Sequence, residues 1–424
     1  MPPKLTAYPT YLIISFVFSL NFTLMSMISA IYRVESAGLN PLQLILVGTV
    51  LELAVFIFEI PTGIVADIYS RRLSIIIGYT LIGLGFIVEA SWTYFPTILL
   101  AQAIWGFGYT FISGAQDAWL ADELGQQHTL PAVYLRGLQY DQAGRLVGLI
   151  FATWLGAQQL ARPLLIGGLG CLTLALFLYL FMPENNFTPT PPSNRSNWQT
   201  MRATAHTSFQ LIYQRPLLRA ILLITLFAGL ASEPLDRFWE AHILINYTLP
   251  PLPANLTAFT ASLNSPLAST VTWFGLLNLC LLAINILLAN FVRQYLDHQT
   301  KQLIPTLLII NILIILGVIF FALAPSFGWV LFSYFLMATM RTIDHPLYMA
   351  WLNKDLPSAT RATILSFSGQ LNALGQIVGG LIIGLIATRY NLPLGFLLAA
   401  LFLLPIPLIY AYQHLLNHSN HEKQ

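Results

Sequence analysis

Two acidic residues in one long apolar segment are the side chains of this sequence best suited to proton chemistry. Glu52 lies deep in the apolar run that begins near position 41, and no basic residue lies within one helical turn of it in the sequence. Apolar surroundings favour the protonated form of a carboxyl group, so it can bind and release a proton when its surroundings change. We predict a proton-binding role for Glu52; alternatively, it stays protonated and makes one hydrogen bond between helices. Glu59, on the same helical face, shares the proton or supports the polar loop that follows.

Two pairs of oppositely charged residues also fall within apolar segments. Asp141 and Arg145 are spaced i,i+4, and Arg341 and Asp344 are spaced i,i+3. Both spacings place the two side chains on one helical face, where they can form an ion pair. Because isolated charges in a bilayer are costly, we predict that both pairs line a polar cavity. Two roles stay open for the arginines: structural partner of the carboxylate, or direct ligand of a polar or anionic molecule.

Another charged group ends an apolar segment, at Glu233-Pro234-Leu235-Asp236-Arg237-Phe238-Trp239-Glu240. Pro234 is predicted to kink the helix, and Glu233, Arg237 and Glu240 share one helical face. This turn is predicted to be an external gate, the rim of a cavity, or a helix end that emerges into water. The predicted cavity residues are Asn21, Asp141, Arg145, Glu233, Asp236, Arg237, Arg341 and Asp344.

The composition shows what kind of element must position these residues. The chain has 424 residues, of which 56% are hydrophobic and 8% charged, with a mean hydropathy of +0.70. Soluble domains are about 25% charged, and a helix needs about 20 mostly apolar residues to cross a bilayer. We therefore predict an all-α polytopic membrane protein with twelve transmembrane helices. The predicted spans are 11–32, 41–66, 73–91, 96–120, 135–159, 163–182, 217–240, 267–292, 303–323, 327–351, 362–388 and 392–413.

The distribution of basic residues predicts the orientation of these spans. Thirteen Lys and Arg residues fall in the loops, tails or span ends on the side that holds both termini. Three, Arg33, Arg162 and Arg389, fall on the other side. Basic residues concentrate in cytoplasmic loops, so both termini are predicted to be cytoplasmic, in a plasma or inner membrane. A net charge of +2 gives no indication of nucleic-acid binding.

Several kinds of chemistry find no support in the sequence. It has no Gly-rich phosphate loop, no His and Cys spacing typical of a metal site, and no clustered nucleophile with an acid or base. Its two cysteines, Cys171 and Cys280, fall in apolar spans. We therefore predict no cofactor, no metal and no enzymatic activity.

The loop between the second and third spans carries the most distinctive motif. It reads Gly63-Ile-Val-Ala-Asp67-Ile-Tyr-Ser-Arg71-Arg72. Glycine permits close helix contact, the arginines mark the loop as cytoplasmic, and the aspartate can pair with a neighbouring arginine.

The two halves of the chain resemble each other. Ala118-Trp119-Leu120 recurs as Ala350-Trp351-Leu352, and Gln139-Tyr-Asp141-Gln-Ala-Gly144-Arg145-Leu-Val-Gly148 recurs as Gln370-Leu-Asn372-Ala-Leu-Gly375-Gln376-Ile-Val-Gly379. The matches favour a duplication, although chance similarity between Leu-rich helices is the alternative. We predict an N-terminal six-helix bundle over 1–182, a cytoplasmic linker over 183–216 and a C-terminal six-helix bundle over 217–424, related by pseudo-symmetry.

On these spans, this repeat, the middle linker and the loop motif, the chain resembles the major facilitator superfamily over nearly its whole length. The family motif is Gly, three residues, Asp, two residues, Gly, then Arg followed by Arg or Lys, and Ser70 replaces the second glycine here. The resemblance implies that Asp67 and Arg71 belong to a charge cluster that locks the outward-facing state. Asp117 or Asp122 would complete it.

The resemblance also implies a function. We expect a secondary transporter that works by alternating access and takes its energy from a proton gradient, because the sequence has no phosphate-binding loop for ATP. 

Its first expected activity is export of a small lipophilic or amphipathic compound in exchange for protons. Drug/proton antiporters of the family usually carry a Gly-Pro motif in the fifth span; Gly144, Gly148 and Gly156 are present here without a proline, which counts against export. The alternative is proton-linked uptake of a small polar metabolite, with Arg145 and Arg341 as ligands. A non-transporting receptor or a membrane-embedded enzyme is a remote alternative. The expected partners are the small molecule, protons and the lipid bilayer, with the chain acting as a monomer.

Overall fold

The computed structural model describes residues 4–124, 130–188, 216–263, 265–298, 303–355 and 358–421. These residues are almost entirely helical and include no β-strand. Up to residue 188 the helices are α1 (Ala7–Ile31, continued by a π-helical turn, Tyr32–Ser36), α2 (Pro41–Ile68), α3 (Arg71–Ser91), α4 (Phe95–Ile112), α5 (Ala115–Leu124), α6 (Leu130–Gln158) and α7 (Ala161–Phe181). From residue 216 onward they are α8 (Pro216–Arg237), α9 (Trp239–Asn246), α10 (Ala254–Ser262), α11 (Ala268–His298), α12 (Leu303–Ala322), α13 (Phe327–Asp355), α14 (Ser358–Arg389), α15 (Leu392–Leu403) and α16 (Pro405–His421).

Ten segments of the described chain are helical, long and apolar enough to cross a membrane. The predicted spans 135–159 and 327–351 are not among the ten, although each is covered by a helix of 29 residues, α6 and α13. These are the helices that carry the pairs Asp141–Arg145 and Arg341–Asp344, and charged residues lower the hydropathy of a segment. The all-α membrane fold is confirmed, and the count of twelve spans stays a prediction.

Two predicted spans are interrupted in the structure. The span 96–120 is divided into α4 and α5, because Gly114 has a φ of 71°, a left-handed conformation that favours glycine. The span 217–240 is divided after Arg237, and Pro234 lies inside the first of the two helices. The kink at Pro234 stays a prediction.

The described chain forms two compact units. The first comprises residues 1–40, 50–195 and 249–279, and the second comprises residues 41–49, 196–248 and 280–424. In the first unit α1 packs on α6 and α7, and α3 packs on α4 and α7. In the second unit α8 packs on α14 and α15, and α12 packs on α13 and α16. Each unit therefore repeats the same order of helix contacts, as the duplicated sequence predicts.

The repeated glycines mark the closest of these helix contacts. A Cβ atom added to Gly148 of α6 would lie 2.5 Å from the backbone oxygen of Leu20 in α1. A Cβ atom added to Gly375 of α14 would lie 2.7 Å from the backbone oxygen of Leu226 in α8. Only glycine permits so close an approach. Gly63 of the loop motif differs: nothing lies within 4 Å of a Cβ atom added there, so the close helix contact predicted for it is wrong.

A buried ion pair fixes one end of the first unit. Arg33, in the π-helical turn, donates from Nε to Glu89 Oε1 at 2.8 Å and from Nη2 to Glu89 Oε2 at 3.1 Å. Gln102 Nε2 donates to the same carboxylate at 2.7 Å, and the Tyr32 hydroxyl donates to the Glu89 backbone oxygen at 2.9 Å. Arg33 is predicted to lie in an outer loop, yet its side chain is only 5% exposed. The pair joins the ends of α1, α3 and α4.

The predicted linker 183–216 falls largely outside the described residues, which omit 189–215. Its first residues are described, and they form ordered contacts with the first unit that are given below.

Candidate functional site

Each unit contains a polar cavity. The cavity of the first unit has a volume of about 380 Å³ and lies among α1, α3, α5 and α6. Arg145 Nε lies 2.8 Å from Asp141 Oδ2, and Ser19 Oγ donates to Asp141 Oδ1. The predicted i,i+4 pair therefore forms, and it lines a cavity. The Arg145 side chain is 50% exposed, which leaves part of its guanidinium available to a ligand.

Tyrosines line the same cavity, and the sequence analysis did not identify them. The rings of Tyr11 and Tyr134 meet edge to face, with centroids 6.0 Å apart. The Tyr79 hydroxyl donates to Gln116 Oε1 at 2.7 Å. Tyrosine is common throughout the chain, so nothing in the sequence singled out these positions. Together these tyrosines line the cavity with aromatic rings and hydroxyl groups.

The cavity of the second unit is larger, at about 570 Å³. Arg341 Nη1 lies 2.8 Å from Asp236 Oδ1, a partner on α8. Asp344 accepts a hydrogen bond from Asn311 Nδ2 at 2.7 Å. The prediction that Arg341 pairs with Asp344 is wrong, because no ion pair joins these two residues in the described chain. Asp236 of α8 is the carboxylate that contacts the guanidinium instead. All three charged residues line the cavity, as predicted.

A chain of hydroxyl and amide groups continues this lining. Thr225 Oγ1 lies 3.0 Å from the Tyr348 hydroxyl and 2.8 Å from Ser368 Oγ. Gln376 Nε2 donates to Asn372 Oδ1 at 2.6 Å. Asn372 and Gln376 are the repeat counterparts of Asp141 and Arg145, so the duplication itself was the signal that could have identified them. Apolar residues complete the wall: Ile224, Ala228, Leu235, Ile314, Met349, Leu352, Leu403 and Ile406.

Three predicted cavity residues lie elsewhere. Asn21 is buried, donates from Nδ2 to the Val17 backbone oxygen at 2.8 Å, and contacts Gly170 of α7. Glu233 and Arg237 share one helical face, as predicted, and form an i,i+4 ion pair at 3.4 Å, but neither lines the cavity of the second unit. Asn21 therefore packs two helices together, while Glu233 and Arg237 neutralise each other beside the cavity.

The two acidic residues of α2 lie in the part of that helix that packs in the first unit. Glu52 is half-buried, and Glu59 Oε1 accepts a hydrogen bond from Ser113 Oγ at 2.8 Å. Tyr109 of α4 lies close enough to both carboxylates to interact with them electrostatically. Thr62 donates to the backbone oxygen of Thr110 at 3.0 Å, which holds α2 against α4. A phenol and two carboxyl groups thus share one side of this helix pair.

The loop motif forms a charge cluster centred on Arg71. Its Nη1 forms an ion pair with Asp122 and donates to the Ala118 backbone oxygen at 2.9 Å, and its Nη2 lies 3.8 Å from Asp67. Of the two candidates for the third member, the structure places Asp122 in the cluster. Asp117 is exposed at the start of α5.

Glu184 is a further part of this cluster that the sequence analysis missed. Its carboxylate accepts hydrogen bonds from Ser70 Oγ at 2.6 Å and from the Arg72 backbone N–H at 2.9 Å. Trp119 Nε1 donates to the neighbouring Pro183 backbone oxygen at 2.8 Å. The residue that departs from the family motif, Ser70, is thus the one that binds Glu184. The first residues of the predicted linker are held against the loop and α5.

Comparison with known proteins agrees with this architecture. The family model described as Major Facilitator Superfamily matches residues 11–380. The MFS-type transporter YxaM of Bacillus subtilis (strain 168) is 25% identical over 379 residues, which cover 87% of this chain and 86% of that protein.

Solved transporter structures share the fold. The nucleoside transporter NupG gives a TM-score of 0.71 at 15% identity, with 96% of this chain and 99% of that chain covered. A POT family transporter in complex with 5-aminolevulinic acid gives 0.72 at 14% identity, with 96% and 95% covered. A bacterial homolog of the human lysosomal transporter Spinster gives 0.72 at 13% identity, with 96% and 97% covered. The chain belongs to the major facilitator superfamily and is a multi-pass membrane protein of the secondary transporter class.

Proposed function

We propose that this transporter exports a small amphipathic molecule in exchange for protons. The observation that carries the proposal is the mixed lining of the cavities. The cavity of the second unit is lined by the charged residues Asp236, Arg341 and Asp344 and also by aliphatic residues. Such a lining suits a molecule with an apolar body and a polar group, because the body can pack against the aliphatic residues while the polar group binds the charged ones.

Proton coupling is assigned to the acidic residues of α2. Glu52 lies within the membrane-spanning segment Pro41–Ile68, and Tyr109 interacts electrostatically with both Glu52 and Glu59. Moving a carboxyl group between apolar and hydrated surroundings changes its affinity for protons, which is what a proton-driven cycle requires. Glu52 is the principal proton-binding group in this account, and Glu59, which is bonded to Ser113, has a supporting role.

The transport cycle follows from the family. We propose alternating access, in which residues 1–182 and 217–424 act as two bundles joined by 183–216. The cluster of Asp67, Arg71 and Asp122 stabilises one state of the cycle, and its breakage accompanies the change to the other. We further propose a monomer in the plasma or inner membrane, with both termini in the cytoplasm.

Uptake of a polar metabolite is the second candidate. The hydroxyl and amide chain of Thr225, Tyr348, Ser368, Asn372 and Gln376 favours it, because these groups can donate and accept hydrogen bonds with an uncharged polar ligand. NupG and the POT family transporter, whose names indicate polar substrates, are similar in fold.

Growth of an efflux-deficient bacterial host on a panel of toxic amphipathic compounds tests the direction. Cells express the wild-type chain, Glu52→Gln, or the matched control Glu35→Gln, which removes one exposed carboxylate outside the cavities, at equal membrane levels. Protection by the wild type and the control, lost in Glu52→Gln, supports proton-driven export. Sensitisation of the cells, or accumulation of a radiolabelled polar metabolite, would show uptake instead.

A further inference from the structure

An excess of negative charge in the cavity of the second unit indicates the charge of the transported molecule. The cavity is lined by two carboxylates, Asp236 and Asp344, and one guanidinium, Arg341. Arg341 is engaged by Asp236 at 2.8 Å. The described lining therefore contains one more carboxylate than arginine.

Asp344 is the carboxylate outside the close ion pair: Arg341 interacts with it electrostatically but contacts Asp236. Its described hydrogen bond comes from a neutral donor, Asn311 Nδ2, which contacts Oδ1 at 2.7 Å. Asn311 itself is buried and also donates to the Leu307 backbone oxygen at 2.9 Å, so it holds Asp344 in a fixed position. A carboxylate within a membrane protein is stable when a proton or another cation accompanies it.

The surroundings of Asp344 suit an organic cation. The ring of Tyr348, one turn further along α13, lines the same cavity, and aromatic faces attract ammonium and phosphonium groups. The apolar residues Ile314, Met349 and Leu352 line it as well. A volume of about 570 Å³ is within the range of cavities that bind drug-sized molecules, which is about 300–1,000 Å³.

We propose that Asp344 is the recognition carboxylate for a monovalent, amphipathic organic cation, such as a protonated amine or a quaternary ammonium compound. This inference rests on the proposed function and adds the charge class of its substrate. The Asp236–Arg341 pair has a positioning role, because it holds the guanidinium in contact with Asp236 rather than with Asp344.

Binding to the purified full-length protein in detergent tests the inference without a transport assay. The probes are radiolabelled tetraphenylphosphonium, a lipophilic cation, and triphenylphosphine oxide, a neutral compound with similar rings. We expect the wild type to prefer the cation. Asp344→Asn should weaken tetraphenylphosphonium binding at least about tenfold and leave binding of the oxide unchanged, because only the charge interaction is lost. Asp344→Glu should restore part of the affinity, and Glu35→Gln should bind like the wild type.

Equal binding of the cation by the wild type and Asp344→Asn would overturn the inference, as would failure of the wild type to bind tetraphenylphosphonium or smaller quaternary ammonium ions. If Asp344→Asn does not fold, Asp236→Asn decides: it releases Arg341 to pair with Asp344 and should also weaken cation binding. Proton-driven transport restricted to neutral or anionic compounds would refute the inference and leave the proposed function intact. Absence of any transport would refute the proposed function.

Discussion

The buried pair of Arg33 and Glu89 gives the sharpest stability prediction. Glu89→Gln removes one charge with almost no change in shape and leaves the Arg33 guanidinium buried without its counter-ion. The side chains are 5% and 0% exposed, so water cannot compensate for the loss. Breaking a buried ion pair by removing one partner costs about 3–5 kcal/mol.

The pair Asp141–Arg145 provides a matched control. Asp141→Asn makes the same chemical change, but the Arg145 side chain is 50% exposed, so the variant does not leave a fully buried charge without its partner. Exposed ion pairs contribute about 0.2–1 kcal/mol, so this variant should lose far less stability.

Thermal unfolding of both variants in the same detergent, followed by fluorescence-detected size exclusion, measures the difference. Glu89→Gln should unfold several degrees below Asp141→Asn. The double variant Arg33→Gln/Glu89→Gln should recover part of the loss, because no charge is left buried. Equal midpoints for Glu89→Gln and Asp141→Asn would refute the reasoning and imply that water reaches Arg33.

Three further predictions concern packing, the loop cluster and the cavity. Gly148→Ala forces α1 and α6 apart, so it should lower the yield of folded protein in membranes. Gly328→Ala should not, because an added Cβ atom there has open space around it. Equal yields of the two variants would contradict the close contact between α1 and α6. Glu184→Ala removes the carboxylate that accepts hydrogen bonds from Ser70 Oγ and the Arg72 N–H, so it should lower the free energy of unfolding by about 1 kcal/mol. The same unfolding assay measures this, with Glu35→Ala as its control. An unchanged unfolding midpoint would show that the contact is dispensable. Arg341→Ala leaves Asp236 without its counter-ion, so it should reduce transport at least about tenfold at unchanged membrane levels, and full activity would remove Arg341 from the site.

The sequence predicted the helices and their closest contacts well, because both depend on local patterns. Apolar runs identify spans regardless of their neighbours, and the repeated glycines Gly148 and Gly375 lie where two backbones meet in both units. The i,i+4 pairs Asp141–Arg145 and Glu233–Arg237 also form, since helix geometry alone brings such residues together.

Contacts between segments that are distant in the chain could not be predicted from the sequence. Arg341 pairs with Asp236, which is 105 positions away in the chain, rather than with its neighbour on the same helix. Arg33 and Glu184 were assigned to loops, yet their partners lie on other helices that only the fold brings close. The cavity tyrosines Tyr11 and Tyr134 have no distinguishing pattern, because aromatic residues occur throughout the chain.

Proton movement in proteoliposomes tests the central claim of proton exchange most directly. Vesicles with the purified protein and an internal pH-sensitive dye receive a compound against which the wild type protects cells, with no pH gradient imposed. The account predicts that the compound drives proton flux through the wild type and Glu35→Gln, and that Glu52→Gln abolishes this flux while it still binds the compound. Equal flux in Glu52→Gln, or compound movement without any proton flux in the wild type, would contradict the account.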